Sequence, residues 1–261
     1  MSNITEVTEN QEMTALVERH IAKYRVPVAR GRKCVDGRHT SDQLAGGLAR
    51  AGADLGYAMG LLAMGYSPQE SFDLVKSFVE NELGDNFCWH GDDHAENGCG
   101  HNNAFNHKIE AYNDGYFQVD PAQAEELFNL VKKVAKTEEL DYTVLKGGHL
   151  EEAVIIVTGT THTVLPFDED ENRQFFIYDQ TRDEVLMRQL VEFANMQRSE
   201  EDAIPEVNTA DYLTVMGNHT MTTLGLLDSS AGKPIYEVNV DQEPYPVKFV
   251  GMCSDLRADY Q

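Results

Sequence analysis

The chain has 261 residues with 21 basic and 44 acidic side chains, a formal charge of −23 at pH 7. Such a surface repels a phosphate backbone, so nucleic acid is not an expected partner. A composition that is 41% apolar, with no apolar run of spanning length, also excludes a transmembrane helix.

The opening stretch MSNITEVTENQEM lacks the basic and apolar blocks of a secretory signal, and a cytoplasmic protein is expected. From Glu6 to Tyr24, the residues Val7, Met13, Leu16, Val17, Ile21 and Tyr24 recur at helical spacing and predict an amphipathic helix. Val26–Val28 and Lys33–Val35 read as an approach to a strand, closed by Asp36-Gly37-Arg38. The run from Ala51 to Met64 is small and apolar on all sides, which predicts a buried helix; Gly52, Gly56 and Gly60 permit close approach of a neighbour. Ser67 and Pro68 form a cap and first position for the next helix, with Leu74, Val75, Phe78 and Val79 inward.

Asp85 to His90 reads as a short apolar strand that ends in a histidine and opens into a polar loop. Pro121 to Lys136 is a helix with Leu127, Leu130, Val131 and Val134 inward. Strand-like runs follow at Asp141–Leu145, Ala153–Thr158, Thr163–Phe167 and Gln174–Tyr178, before helical spacing resumes from Arg182 to Met196. Beyond residue 200, Asp211–Met216, Leu224–Leu227 and Ile235–Val240 are short strand or helix pieces that complete the sheet or build a dimer interface. Without an internal repeat or Pro-rich boundary, the expectation is a single α/β domain spanning residues 1–261. Its central sheet, mixed or parallel, is flanked by helices.

The four cysteines are Cys34, Cys88, Cys99 and Cys253, and in a cytosolic chain they read as thiols rather than disulfides. Cys88 lies in the apolar run Phe87-Cys88-Trp89, and Cys253 lies far from any histidine; both read as packed, inert thiols. Cys34 and Cys99 instead follow apolar segments at Gly-containing turns, Cys34-Val35-Asp36-Gly37-Arg38 and Asn97-Gly98-Cys99-Gly100-His101. Two thiolates and one imidazole suit a catalytic zinc, which keeps its fourth position for water. The imidazole comes from the 90–101 segment: His90 ends the apolar strand, while His94 and His101 are alternatives. In an extended segment Cys34, Asp36 and Arg38 share a face. A carboxylate so paired with a guanidinium stays ionised and can accept a hydrogen bond from water. His39 and His149 are assigned secondary roles, the first near the site and the second as a cap.

The C-x-D-x-R pattern at Cys34, Asp36 and Arg38, with a later histidine and Cys99, resembles the carbonic anhydrases of the β type. Eight residues separate His90 from Cys99 where the β pattern has two. That gap, with the CVDGR and GCGH wording, is more similar to the zeta class, which uses cadmium or zinc, and to the theta class. The resemblance covers about residues 26–160 and implies Cys34, His90 and Cys99 as ligands of Zn2+ or Cd2+, with Asp36 and Arg38 as a catalytic dyad. It implies a β-carbonic-anhydrase-like fold, a homodimer, and reversible hydration of carbon dioxide to bicarbonate by metal-bound hydroxide. Arg50-Ala51-Gly52, one residue shorter, is a counterpart of a pocket-lining Arg-x-Ala-Gly stretch, with Gly46-Gly47 equally able to serve as a backbone-donor turn. Phe87, Trp89, Leu48 and Phe105 are candidates for an apolar wall. Two other functions share these ligands: hydrolysis of carbonyl sulfide or carbon disulfide, and non-enzymatic metal binding with His94 or His101 closing the fourth position.

Overall fold

A computed structural model describes residues 11–17, 26–27, 34, 50, 52–92, 118–137, 140–145, 151–159, 163–164, 174–197, 210, 212–213, 232–242 and 246–253. The first long helix, α1 (Asp54–Ala63), is buried from Asp54 to Leu62, as its sequence, apolar apart from Asp54, requires. It begins three residues later than the sequence suggests because Gly52 and Ala53 hold φ of 80° and 55°, outside the right-handed helical region. In α2 (Pro68–Asn81), Ser67 accepts from the Glu70 N–H and the Glu70 carboxylate accepts from the Ser67 N–H, so both exposed donors are satisfied. Phe72, Val75, Phe78 and Val79 form the buried stripe.

The strand expected at Asp85–His90 is shifted towards the C-terminus: β2 spans Cys88–Asp92. Asp85 turns back locally, accepting from the Asn86 N–H at 2.9 Å, whereas Gly91 and Asp92 continue the ladder opposite Val144 and Leu145. His90 therefore sits in mid-strand rather than at the strand end. β2 runs parallel to β3 (Asp141–Leu145), and helix α3 (Pro121–Thr137) lies between them in sequence, the order of a βαβ unit. Ala124, Leu127, Phe128 and Val131 of α3 join α1, α2 and β2 in the largest core cluster; Leu130 and Val134 pack at its margin.

The main sheet contains β4 (Glu151–Thr158), β6 (Gln174–Asp179), β7 (Pro234–Asn239) and β8 (Val247–Met252) in the order β6-β4-β7-β8. The first three are parallel and β8 is antiparallel to β7, so the sheet is mixed and the protein is α/β. Alternation along β4 and β6 divides the core. Ala153, Ile155, Val157, Phe175 and Ile177 meet Leu16 and Val17 of the helical stretch at 11–17, while Val154, Phe176 and Tyr178 meet Cys34 and Cys253. Both faces are covered, as a largely parallel sheet demands. Val26–Pro27 (β1) pairs antiparallel with Thr163–Val164 (β5).

Helix α4 (Gln180–Met196) follows β6 directly, its start set by Asp179, whose side chain accepts from the Arg182 N–H at 3.0 Å. That cap starts the helix two residues before the expected Arg182. Strand β8 has no counterpart in the sequence reading: VKFVGM carries a lysine and a glycine, and its pairing shifts register between Ile235 and Tyr236. Among the described residues no helix is long and apolar enough to cross a membrane.

Candidate functional site

Cys34 is fully buried, and its Sγ accepts a hydrogen bond from the Gly52 N–H at 3.2 Å. It belongs to a cluster with Val154 of β4, Phe176 and Tyr178 of β6, and Cys253, which follows β8. In Cys253, burial pushes the thiol up to about 11, only partly offset by Lys233, so it stays protonated near neutral pH.

The Gly52 donor belongs to a short turn with three anchors at alternate positions. Arg50, with no exposed surface, forms a two-point ion pair with Asp183 of α4: Nε donates to Oδ1 at 3.0 Å and Nη2 donates to Oδ2. Gly52 meets Cys34. Asp54, also fully buried, accepts from the Cys88 N–H at 2.7 Å, tying the turn to the first residue of β2. Between these anchors Ala53 holds φ 55° and ψ −137°, a conformation that costs a non-glycine residue about 1–3 kcal/mol.

Further donors complete the coordination of Asp183. The Tyr57 hydroxyl donates to Oδ1 at 2.8 Å and the Tyr178 hydroxyl to Oδ2 at 2.9 Å. The Arg50 guanidinium also lies 5.0 Å from the centre of the Tyr57 ring and donates to the Met187 sulfur at 3.1 Å. Tyr212, fully buried, donates its hydroxyl to the Tyr57 carbonyl at 3.2 Å. Burial is the largest influence on Arg50 and opposes its charge, but Asp183 together with Tyr178, Tyr57 and Tyr212 outweighs it and holds the guanidinium protonated above its ordinary range.

Burial, then the Asp183 charge, also lifts the phenols of Tyr57 and Tyr178 well above their ordinary value of 10.0. A group whose pKa is raised by folding stabilises the fold fully below its unfolded pKa, and that stability is lost as pH rises towards the folded value. Stability is therefore expected to fall from about pH 10 upward. In an alkaline titration these tyrosinates should appear only together with loss of the circular-dichroism signal of the fold. Reversible ionisation of all 11 tyrosines in a folded chain would contradict this.

Of the residues singled out from sequence, Cys34 is placed with its side chain, and His90 is placed by its backbone, opposite Thr143. Cys99, Asp36, Arg38, His94, His101, His39, His149, Gly46, Gly47, Leu48 and Phe105 lie outside the described residues. No group of three or more His, Cys, Asp or Glu residues positioned for a metal occurs among the described residues. Two placements bear on the expected pocket. The Arg50 side chain is fully buried and bound to Asp183. Phe87 and Trp89 belong to the helical core, Phe87 packing edge-on to Phe72 at 5.2 Å, and are not part of the Cys34 cluster. Cys88 and Cys253 are buried, as expected of packed thiols.

Sequence reasoning missed Asp54, Asp183, Tyr57 and Tyr178. One signal was present: Arg50 and Asp54 are charges inside an otherwise small and apolar segment, and buried charges require partners. Comparison with protein-family models, curated proteins and solved structures returned no match.

Proposed function

We propose that this chain is a metal-dependent carbonic anhydrase, with Cys34, His90 and Cys99 as ligands of Zn2+ or Cd2+ and Asp36 and Arg38 as the catalytic dyad, on a β-carbonic-anhydrase-like α/β scaffold. The observation that carries this reading is the Arg50–Asp54 turn. Through Gly52 it holds Cys34, and through Asp54 it holds the base of the strand that bears His90, two residues beyond Cys88. Two of the three ligand-bearing segments, 54 residues apart in the chain by their Cys34 and Cys88 positions, are thus fastened to one hub (88 − 34 = 54).

The donor set fits a soft divalent cation. Sulfur with imidazole selects zinc or cadmium over magnesium or calcium, and binding such a cation would itself deprotonate the thiol. When bound, such a cation brings the pKa of water to about 7 and so supplies a nucleophile at neutral pH. Cys34 would be held in place by the Gly52 N–H. Asp36, which an adjacent Arg38 would keep ionised, would accept a hydrogen bond from the nucleophile and so orient it. Addition of hydroxide to carbon dioxide gives bicarbonate directly, and the proton released from water would pass to the buffer.

Elemental analysis of the protein purified without chelators should give one zinc or cadmium per chain, with hydration of carbon dioxide above the buffer rate. A metal-loaded protein without hydration sinks the enzymatic reading. Hydrolysis of carbonyl sulfide or carbon disulfide in its place would transfer the same site to those substrates. The resemblance also implies a homodimer, which sedimentation at the assay concentration tests.

A further inference from the structure

We propose that the buried Arg50–Asp183 pair is a positioning device for the metal ligand Cys34, acting through the turn that carries Gly52; this rests on the metal reading above. A fully buried ion pair contributes little to stability compared with apolar side chains of the same volume, because desolvation offsets the attraction. Its consequence is geometric. The two-point contact fixes the guanidinium plane against α4, and with it the path of the chain at position 50.

Three features connect that fixed point to sulfur. Gly52, two residues on, donates to Cys34 Sγ at 3.2 Å. Tyr178 donates its hydroxyl to Asp183 and also belongs to the cluster that contains Cys34, so the carboxylate is bound to a member of the thiol's own packing group. Ala53 is held at φ 55° and ψ −137°, a conformation that persists only where surrounding contacts enforce it. Releasing Arg50 allows the turn to relax and withdraws the Gly52 N–H from the sulfur. Arg50 and Asp183 reach the site only through intervening groups, so both are positioning residues.

The test uses the full chain and two variants. In the first, Arg50→Met, Tyr57→Phe, Tyr178→Phe and Asp183→Leu together remove the ion pair and both phenols that donate to it. The second is Arg50→Lys, which keeps the charge and loses the two-point contact. Alkylation of Cys34 by iodoacetamide in the metal-free chain, mapped by peptide mass, reads its protection. Cobalt(II) titration, followed by the thiolate-to-cobalt charge-transfer band, reads its competence as a ligand.

The fourfold variant should melt no lower than the wild type, yet alkylate at Cys34 at least about tenfold faster. Its cobalt affinity should fall about tenfold to a hundredfold, the scale for groups that orient a ligand. Wild-type protection of Cys34 in that variant overturns the proposal, as does faster alkylation with unchanged cobalt binding. If the fourfold variant does not fold, Arg50→Lys decides: several-fold faster alkylation at an unchanged melting temperature supports positioning, and an unchanged rate overturns it. A wild type that takes up no cobalt defeats the metal reading alone, because the alkylation arm still decides whether the pair guards Cys34.

Discussion

Asp183→Ala is expected to destabilise the chain by about 3–5 kcal/mol, the cost of leaving a buried guanidinium without its counter-ion. For a chain of this size that lowers the melting temperature by roughly 6–20 °C, which calorimetry measures directly. The magnitude follows from burial: neither side chain has exposed surface, so water cannot enter to replace the lost carboxylate. The Met187 sulfur and the Tyr57 ring, which also meet Arg50, carry no full negative charge to replace it. The phenols of Tyr57 and Tyr178 would lose their acceptor as well. Tyr178→Phe, which removes one neutral donor and leaves the ion pair intact, should cost only about 1 kcal/mol. A loss below that scale for Asp183→Ala would mean that Arg50 finds another partner or reaches solvent.

Cys34→Ser is the second large effect, and it falls on activity rather than on the fold. A serine hydroxyl can still accept the Gly52 N–H that Cys34 now accepts, so the buried turn keeps its hydrogen bond and the chain should remain folded. What is lost is the soft anionic donor: a serine hydroxyl stays protonated at neutral pH and is a poor ligand for zinc or cadmium. Metal content should drop from one equivalent towards none, and carbon dioxide hydration to the buffer rate, with little change in melting temperature of the metal-free protein. A folded Cys34→Ser variant that retains full metal and full hydration would remove Cys34 from the site.

These two predictions differ in how far they were legible in the sequence. Cys34 was singled out because its Cys34-Val35-Asp36-Gly37-Arg38 pattern joins a later histidine and Gly98-Cys99-Gly100-His101; its burial and its Gly52 contact were not legible there. The helices were equally legible, since their apolar periodicity and caps are local: Ser67-Pro68 marked the start of α2, and Leu127 and Val131 marked the buried stripe of α3. The strand Asp141–Leu145 matched its expected bounds because its flanks change composition abruptly.

What the sequence hid was long-range or backbone-determined. Arg50 and Asp183 are 133 residues apart, and no local pattern pairs them. The positive φ at Ala53 is imposed by contacts on either side of it, whereas alanine alone suggests helix, so α1 was extended too far towards the N-terminus. His90 was read as a strand end because Gly91 and Asp92 are poor strand formers. Pairing with Val144 and Leu145 carries the strand through them, which brings its end within two residues of His94. Strand β8 escaped notice for a similar reason: its apolar residues Val247, Phe249 and Val250 do not alternate regularly, and its pairing with β7 supplies the order that pattern lacks.

The account stands or falls on whether two sulfurs and one imidazole surround a single cation that still carries solvent. X-ray absorption at the zinc edge of the metal-loaded, full-length protein measures that donor set most directly. The predicted first shell is two sulfur, one imidazole nitrogen and one light oxygen atom from water, with one sulfur lost in Cys34→Ser. A shell of nitrogen and oxygen alone, or of four protein donors without water, would contradict it.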